Sequence, residues 1–169
     1  RVILAMGAWS GTLAKQLGLT IPLEAERGYH IELWHPNKMP HTPLMVAAGK
    51  FVVTPMKDRI RLAGVVEFGG LKAGASEPPF RLLMQNVKQY MPDLTWDEDT
   101  RWMGHRPAPT DSIPVIGEVP NIKGVFMGFG HHHVGLTGGP KTGHLLAMLA
   151  SGINPNMDLS AYDIGRFTT

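Results

Sequence analysis

The segment GFGHHHVGLTGGPKTG, residues 128–143, holds six glycines and three consecutive histidines and runs directly into the apolar stretch Leu145–Leu149. This pattern predicts a glycine-rich turn followed by a helix. A helix start exposes unpaired backbone N–H groups and the positive end of the helix dipole. Glycines let a flat or bulky group lie against that backbone, so the segment suits a phosphate, a carboxylate or a ring with delocalised negative charge. The alternative is that the glycines only allow a helix and a strand to pack closely.

Two more familiar interpretations of the segment fit less well. Its spacing differs from the phosphate-binding pattern GxxxxGK[ST], and Pro140 removes an N–H group from the proposed cradle. Adjacent histidines point in different directions, so His131, His132 and His133 cannot easily bind one ion, and no carboxylate lies close by in sequence. We therefore expect no metal, and one imidazole contacting a bound ligand while the others stay partly exposed.

A second candidate is Arg106, at the end of a predicted strand in GHRPAPTDSIPVIG, residues 104–117. A guanidinium held there offers a rigid fork for a carboxylate. The alternatives are a surface arginine or an ion pair with Asp111, and Asp111 and Ser112 could equally cap the turn. A third candidate is ERGYH, where Tyr29 and His30 point to opposite faces of a strand, so at most one lines a given pocket.

Several predicted elements position these residues. RVILAM at the start is a fully apolar strand, typical of a parallel sheet, with Ser10 as a candidate N-cap of the short helix that follows. Methionines and tryptophans scattered through residues 84–103 are expected in the core. The remaining elements are a long strand at 21–36 with an irregularity near Gly28, antiparallel strands within 44–68, a helix from Pro78 to Tyr90, a strand at 100–107, two short strands, and a last helix from Val134 or Leu136 to Ser151.

Composition narrows the class of protein. The 169 residues are 43% hydrophobic and 18% charged, enough for a domain with a core, and the net charge of +2 without a Lys/Arg-rich run gives no reason to expect nucleic acid. The absence of cysteine excludes disulfides and thiolate catalysis. No apolar run reaches membrane-spanning length and no signal peptide is evident, so we expect a cytoplasmic protein. The fold class is mixed α+β: an antiparallel sheet with a packing helix, flanked by segments of parallel α/β character that share one layer.

Taken together and in order, these stretches resemble the FAD-dependent D-amino acid oxidase superfamily. They are most similar to its bacterial D-amino acid dehydrogenase and glycine/sarcosine oxidase branch. The similarity covers most of the chain, with a looser match over residues 37–95. The matching stretches are VILAMGAWS, IPLEAERGYH, WMGHRPAPTDSIPVIG, GVFMGFGHHHVGLTGGPKTGHLLAMLASG and INPNMDLSAYDIGRF.

The resemblance implies three regions. Residues 1–20 would end the FAD-binding layer, 21–108 would form the substrate-binding domain, and 109–169 would supply the C-terminal FAD-binding segment with the last helix. It also implies oxidation of the C–N bond of a small D-amino or N-methyl amino acid by hydride transfer to flavin N5, with no obligatory protein nucleophile.

Site residues follow from the resemblance by position. The residues implied to contact FAD are Ala5, Gly7, Trp9, Gly130, His131, His132, Gly135, Leu136 and Thr137, with the amides of the last-helix turn facing the flavin pyrimidine ring. The residues implied to contact substrate are Arg106, which would grip the α-carboxylate, and Tyr29, His30 and His133.

One departure from the family is large. The dinucleotide fingerprint GxGxxG is absent from these 169 residues. We therefore expect the C-terminal portion of an FAD-binding Rossmann-like enzyme, inactive alone, whose N-terminal half comes from the same protein or, less simply, from a partner subunit. The sequence does not distinguish oxygen from a quinone chain as the electron acceptor. A quinone chain would imply a peripheral link to the inner face of a membrane. The alternative function is a non-catalytic ligand-binding or interaction module without flavin.

Overall fold

The computed structural model describes residues 1–167, and most of its elements lie within a few residues of their expected positions. It confirms the mixed α+β class. Contacts divide the chain into a flanking unit, made of Arg1–Ala25 with the chain from Arg106 onward, and a central unit, Glu26–His105. In chain order the elements are β1 (Val2–Leu4), α1 (Ser10–Gln16), β2 (Leu23–Trp34), β3 (Leu44–Val46), β4 (Phe51–Met56), β5 (Arg59–Phe68), α2 (Glu77–Tyr90), β6 (Glu98–Pro109), β7 (Val115–Glu118), β8 (Val125–Phe129) and α3 (Gly135–Ala150).

The flanking unit contains a three-stranded sheet in the order β1-β8-β7. Strand β1 pairs with β8 in parallel, from Val2 opposite Val125 to Leu4 opposite Met127, and β7 is antiparallel to β8. This pairing confirms that the two ends of the chain share one layer. Helix α3 covers the sheet with Leu145 and Leu146. None of the helices within residues 1–167 combines the length and the apolar character needed to span a bilayer.

The central unit is organised by a five-stranded sheet in the order β3-β4-β5-β2-β6. Helix α2 begins with Pro78 and Pro79 in its first turn, where the missing N–H of proline does no harm. Its apolar residues recur at helical spacing and pack against alternate residues of β2, which point to the same face. The core formed in this way includes Phe80, Leu83 and Val87 from the helix and Tyr29, Ile31 and Leu33 from the strand.

The irregularity expected near Gly28 is a register shift between β2 and β5, located between Tyr29 and His30. The extra residue lies on β5, where Gly64 has a φ of +146°. A Cβ atom at Gly64 would lie 2.6 Å from the carbonyl oxygen of Lys50, so only glycine fits the bulge. The shift preserves the core face on both sides of the bulge.

The expectation that Ser10 caps α1 is wrong. Ser10 is the first helical residue, Trp9 occupies the N-cap position, and no side chain caps the helix. The hydroxyl of Ser10 is buried and has no hydrogen-bond partner within residues 1–167.

Candidate functional site

The turn between β8 and α3 contains a backbone conformation that favours glycine. Gly130 has a φ of +86°, and a Cβ atom there would lie 2.8 Å from Cγ of Pro109. The next turn residue with positive φ is His132, whose N–H donates to the carbonyl of Pro107 at 3.2 Å. The chain therefore leaves β8 through a turn that is tied to the end of β6.

The first histidine of the run faces the protein interior. Nε2 of His131 lies 2.7 Å from Oγ1 of Thr142, a buried residue of α3. Burial lowers the pKa of His131 below its usual value of 6.5, so the ring is neutral at pH 7. The other two imidazoles, of His132 and His133, meet edge to face with centroids 4.3 Å apart. His131 therefore has its own partner in α3, whereas His132 and His133 contact each other.

The start of α3 is open. No side chain caps it, and no acidic residue lies in its first turn. Val134 is exposed and Leu136 is 97% exposed, so two apolar side chains beside the first amides of the helix face solvent. A short polar cap would normally occupy those amides. An open helix start with an apolar rim can accept a flat, electron-rich group.

The glycines of this segment have two separate roles. A Cβ atom at Gly128 would overlap the side chain of Leu146, so that glycine lets α3 lie close on β8. Around Gly139 and Gly143, by contrast, a Cβ atom would meet nothing within 4 Å. Close packing therefore accounts for Gly128 and leaves the later glycines unexplained.

The turn after β1 lies at the same edge of the sheet as the turn after β8, because the two strands are parallel neighbours. Gly7, with a φ of +56°, begins the first of these turns, and Ala5 and Trp9 beside it are exposed. In open α/β sheets, ligands bind outside the carboxyl ends of the strands. The structure thus brings the expected cofactor residues of both ends of the chain to one edge of one sheet.

Arg106 lies half-buried in β6. Asp111, an alternative partner considered for it, pairs with Arg166, whose Nε lies 2.7 Å from Oδ2. Oδ1 of Asp111 also accepts the N–H of Ile113 at 3.0 Å, as expected for a residue that caps the turn. Hydrogen bonds from Arg166 and then from Ile113 hold the pKa of Asp111 below its usual range.

Tyr29 and His30 lie on opposite faces of the central sheet. Tyr29 is 1% exposed, and its hydroxyl donates to Oε2 of Glu67 at 2.5 Å and accepts the N–H of Ser76 at 3.1 Å. His30 is half-buried on the other face and stacks on Trp102, with centroids 4.9 Å apart and ring planes at 18°. The expectation that tryptophans of residues 84–103 lie in the core is wrong for Trp102, which is 56% exposed.

Sequence reasoning missed Arg27, which is only 4% exposed. It shares the face of Tyr29, two residues away, and that alternation was the available signal. Its guanidinium pairs with Glu67 and donates to the carbonyls of Ala73 and Gly74 at 3.0 and 2.8 Å. Arg27 therefore holds the segment that leads into α2.

Lowering the pH from about 7.5 to about 5.5 is expected to destabilise the chain, in part through His131. Because burial lowers its pKa in the folded state, the unfolded state binds a proton first as the pH falls through 6.5. The contribution of His131 to the free energy of unfolding is fully present above pH 6.5 and is lost as the pH falls below that value. The His131→Gln variant should show a smaller difference between urea midpoints at the two pH values. An unchanged difference would mean that His131 titrates normally in the fold.

Comparison with known proteins agrees with this geometry. The family model described as DAO, FAD dependent oxidoreductase, matches residues 1–149. A D-amino-acid oxidase of Bradyrhizobium diazoefficiens is 36% identical over 169 residues, which cover 98% of this chain and 40% of that protein. A glycine oxidase of Pseudomonas aeruginosa is 32% identical, over 96% of this chain and 44% of that protein. The crystal structure of glycine oxidase from Geobacillus kaustophilus superposes with a TM-score of 0.86 at 25% identity, covering 99% of this chain and 46% of that one.

The chain spans 40% to 44% of the length of these two curated relatives. The match runs through both units and includes the turns after β1 and β8. FAD is the cofactor of this family. The chain belongs to the DAO family of FAD-dependent oxidoreductases.

Proposed function

We propose that this chain forms part of an FAD-dependent enzyme that oxidises the C–N bond of a small D-amino or N-methyl amino acid. The observation that carries the proposal is the open, uncapped start of α3 at the sheet edge where β1 and β8 both end. FAD, when bound, would take up the hydride from the substrate Cα at flavin N5. The names of the relatives, which include a D-amino-acid oxidase and a glycine oxidase, support an amino acid substrate.

The residues at this edge fit a flavin. Gly130, with its positive φ, lets the chain turn from β8 into α3 at this edge, and the first-turn amides of α3 would stabilise negative charge on the ring edge. His131, His132, Gly135, Leu136 and Thr137 complete that side. On the side of β1, Ala5, Gly7 and Trp9 would lie near the dinucleotide. The GxGxxG fingerprint would come from another segment of the protein or from a partner subunit.

Arg106 is the residue that we propose binds the substrate carboxylate. Its guanidinium supplies a fork of N–H donors, which suits a planar carboxylate and holds the substrate in one orientation. His133, in the same unit, is a second proposed substrate contact. Substrate contacts of His30 and Tyr29, in the central unit, stay predictions from the resemblance. The hydrogen bonds of the buried Tyr29 to Glu67 and Ser76 favour a supporting role for this residue.

The experiment that tests the function is purification of the product of the whole gene. We expect a yellow protein with flavin absorbance that is bleached by small D-amino or N-methyl amino acids. Reoxidation of the bleached protein by oxygen or only by a quinone would identify the electron acceptor. A colourless product that takes up no added FAD would contradict the proposal and favour a non-catalytic ligand-binding module.

Leu136→Asp is expected to weaken FAD binding about tenfold or more, whereas Leu136→Asn should have a much smaller effect. The aspartate would place a negative charge beside the electron-rich ring edge that the helix start is proposed to bind. An acidic residue in the first turn favours the helix itself, so the loss cannot come from a weaker helix. The measurement is the Kd for FAD of the apoprotein made from the whole gene, and its melting temperature is the control for folding. Equal affinities of the Asp and Asn variants would contradict this placement of the flavin.

A further inference from the structure

A cavity of about 270 Å³ opens on the flanking unit between α3, β7 and the chain that follows α3. Ile116 of β7 and Leu145 of α3 line it and are buried, and both belong to one hydrophobic cluster. Tyr162, from the chain after α3, packs against that cluster and forms a further part of the lining. Val134 and Met157, which also line the cavity, are 60% and 48% exposed. The cavity therefore presents an apolar surface to water.

One positive charge lies at this cavity. Lys141 of α3 contributes to the lining, and no oxygen atom within residues 1–167 pairs with its ammonium group. The other two polar side chains of the lining, His131 and Thr142, are bonded to each other. The imidazole is neutral at pH 7 because burial lowers the pKa of His131. The cavity thus offers a single cation, Lys141, that an incoming anion can neutralise.

The cavity lies on a different face of α3 from the proposed flavin side. Gly138, Lys141 and Leu145 line it at spacings of three and four residues, so they share one face of the helix. Leu136, assigned to the flavin side, precedes Gly138 by two residues and points the other way. The cavity also adjoins β7, which is the strand of the β1-β8-β7 sheet farthest from β1. Its occupant would therefore not replace the flavin.

We propose that this cavity binds an aliphatic chain of about eight carbons that ends in a carboxylate. At about 30 Å³ for each non-hydrogen group, the volume holds roughly nine such groups, too few for a helix or strand of a partner protein. The apolar lining favours a hydrocarbon tail, and the flexible thioether of Met157 can adapt to an unbranched chain. The ammonium group of Lys141 would pair with the carboxylate, which selects an acid over a neutral molecule of the same length.

The test is a titration of the unaltered chain with sodium octanoate, followed through the methyl signals of 13C-labelled methionine. The signal of Met157 should shift and saturate, with a Kd of about 1 mM or lower for a ligand of this size. Met45, which is 69% exposed in the central unit, should not shift and controls for general contact of octanoate with exposed methionines. Loss of one signal in Met157→Leu and of another in Met45→Leu assigns the two peaks.

Matched variants and ligands separate the charge from the apolar tail. Lys141→Gln should raise the Kd for octanoate about tenfold or more, whereas Lys15→Gln, which removes an exposed lysine from α1 in the same unit, should leave it unchanged. Octan-1-ol, which lacks the charge, and butyrate, which has half the chain, should each bind about tenfold or more weakly than octanoate. Equal affinity of Lys141→Gln and the unaltered chain would overturn the proposal, as would equal affinity for octanol and octanoate.

Gly138→Leu is a steric test of the same cavity. A Cβ atom at Gly138 would lie 3.5 Å from Cδ2 of His131, which is an ordinary contact, so a longer side chain can extend into the cavity. Leucine favours a helix more than glycine does, so the melting temperature should not fall while octanoate binding is lost. Unchanged binding by this variant would contradict the location. A Met157 signal that shifts with protein concentration alone would also contradict the proposal, because a second copy would then cover the cavity.

Discussion

Replacement of Arg106 by alanine in the product of the whole gene is expected to lower kcat/KM for amino acid oxidation by about 30- to 4000-fold. Truncating one partner of a hydrogen-bonded charge pair in a desolvated site costs about 2–5 kcal/mol, and each 1.4 kcal/mol corresponds to a factor of ten. The proposed pair is the Arg106 guanidinium with the substrate α-carboxylate. Steady-state kinetics with a small D-amino acid measures the effect, and retention of FAD absorbance shows that the flavin site is intact.

A substrate change supplies the control for this prediction. For an amine that lacks the carboxylate, the alanine variant and the unaltered protein should have similar kcat/KM values, because neither can form the pair. Arg106→Lys should fall between them, since a lysine keeps the charge and loses the two-pronged geometry. Normal turnover of amino acids by the alanine variant would rule out the carboxylate assignment and leave the flavin assignment standing.

The parts of the fold that the sequence predicts well are those with a local signal. The apolar run at β1, the alternation along β2 and the helical spacing of Phe80, Leu83 and Val87 each follow from a short stretch of chain. The sequence also predicts that the two flanking segments share one layer, because both have parallel α/β character, and the pairing of β1 with β8 confirms it. The candidate cofactor residues themselves came from the family resemblance, and only the structure shows that the turns carrying them lie at one edge of the sheet.

The parts that local patterns missed depend on residues distant in sequence. Arg27 is buried because the segment before Ser76, with the carbonyls of Ala73 and Gly74, lies against it. No sequence pattern near residue 27 predicts this contact. Trp102 was expected in the core as a large apolar side chain. Met103 packs against the core instead, so Trp102 lies on the face of the sheet opposite α2, where it stacks on His30 and lies over Gly104. Asp111 likewise finds its partner Arg166 near the far end of the chain.

Arg27→Met is expected to lower the free energy of unfolding by about 3 kcal/mol. Methionine keeps the apolar stem but loses the hydrogen bonds to the carbonyls of Ala73 and Gly74, each worth about 1.5 kcal/mol for a charged donor. It also leaves Glu67 without its cation. Urea unfolding monitored by circular dichroism measures the loss.

Comparison with two other variants distinguishes this role from a general effect of removing charge. Arg81→Met removes an exposed arginine from α2 and should change stability by less than about 0.5 kcal/mol. Arg27→Lys should recover only part of the loss, because an ammonium group cannot reach Glu67 and both carbonyls with the geometry of a guanidinium. Hydrogen exchange gives the local readout: the N–H of Ser76, which donates to Tyr29, should lose protection in Arg27→Met before the core of α2 does. If Ser76 stays protected while the whole unit weakens, Arg27 stabilises the sheet itself and does not fasten the segment that leads into the helix.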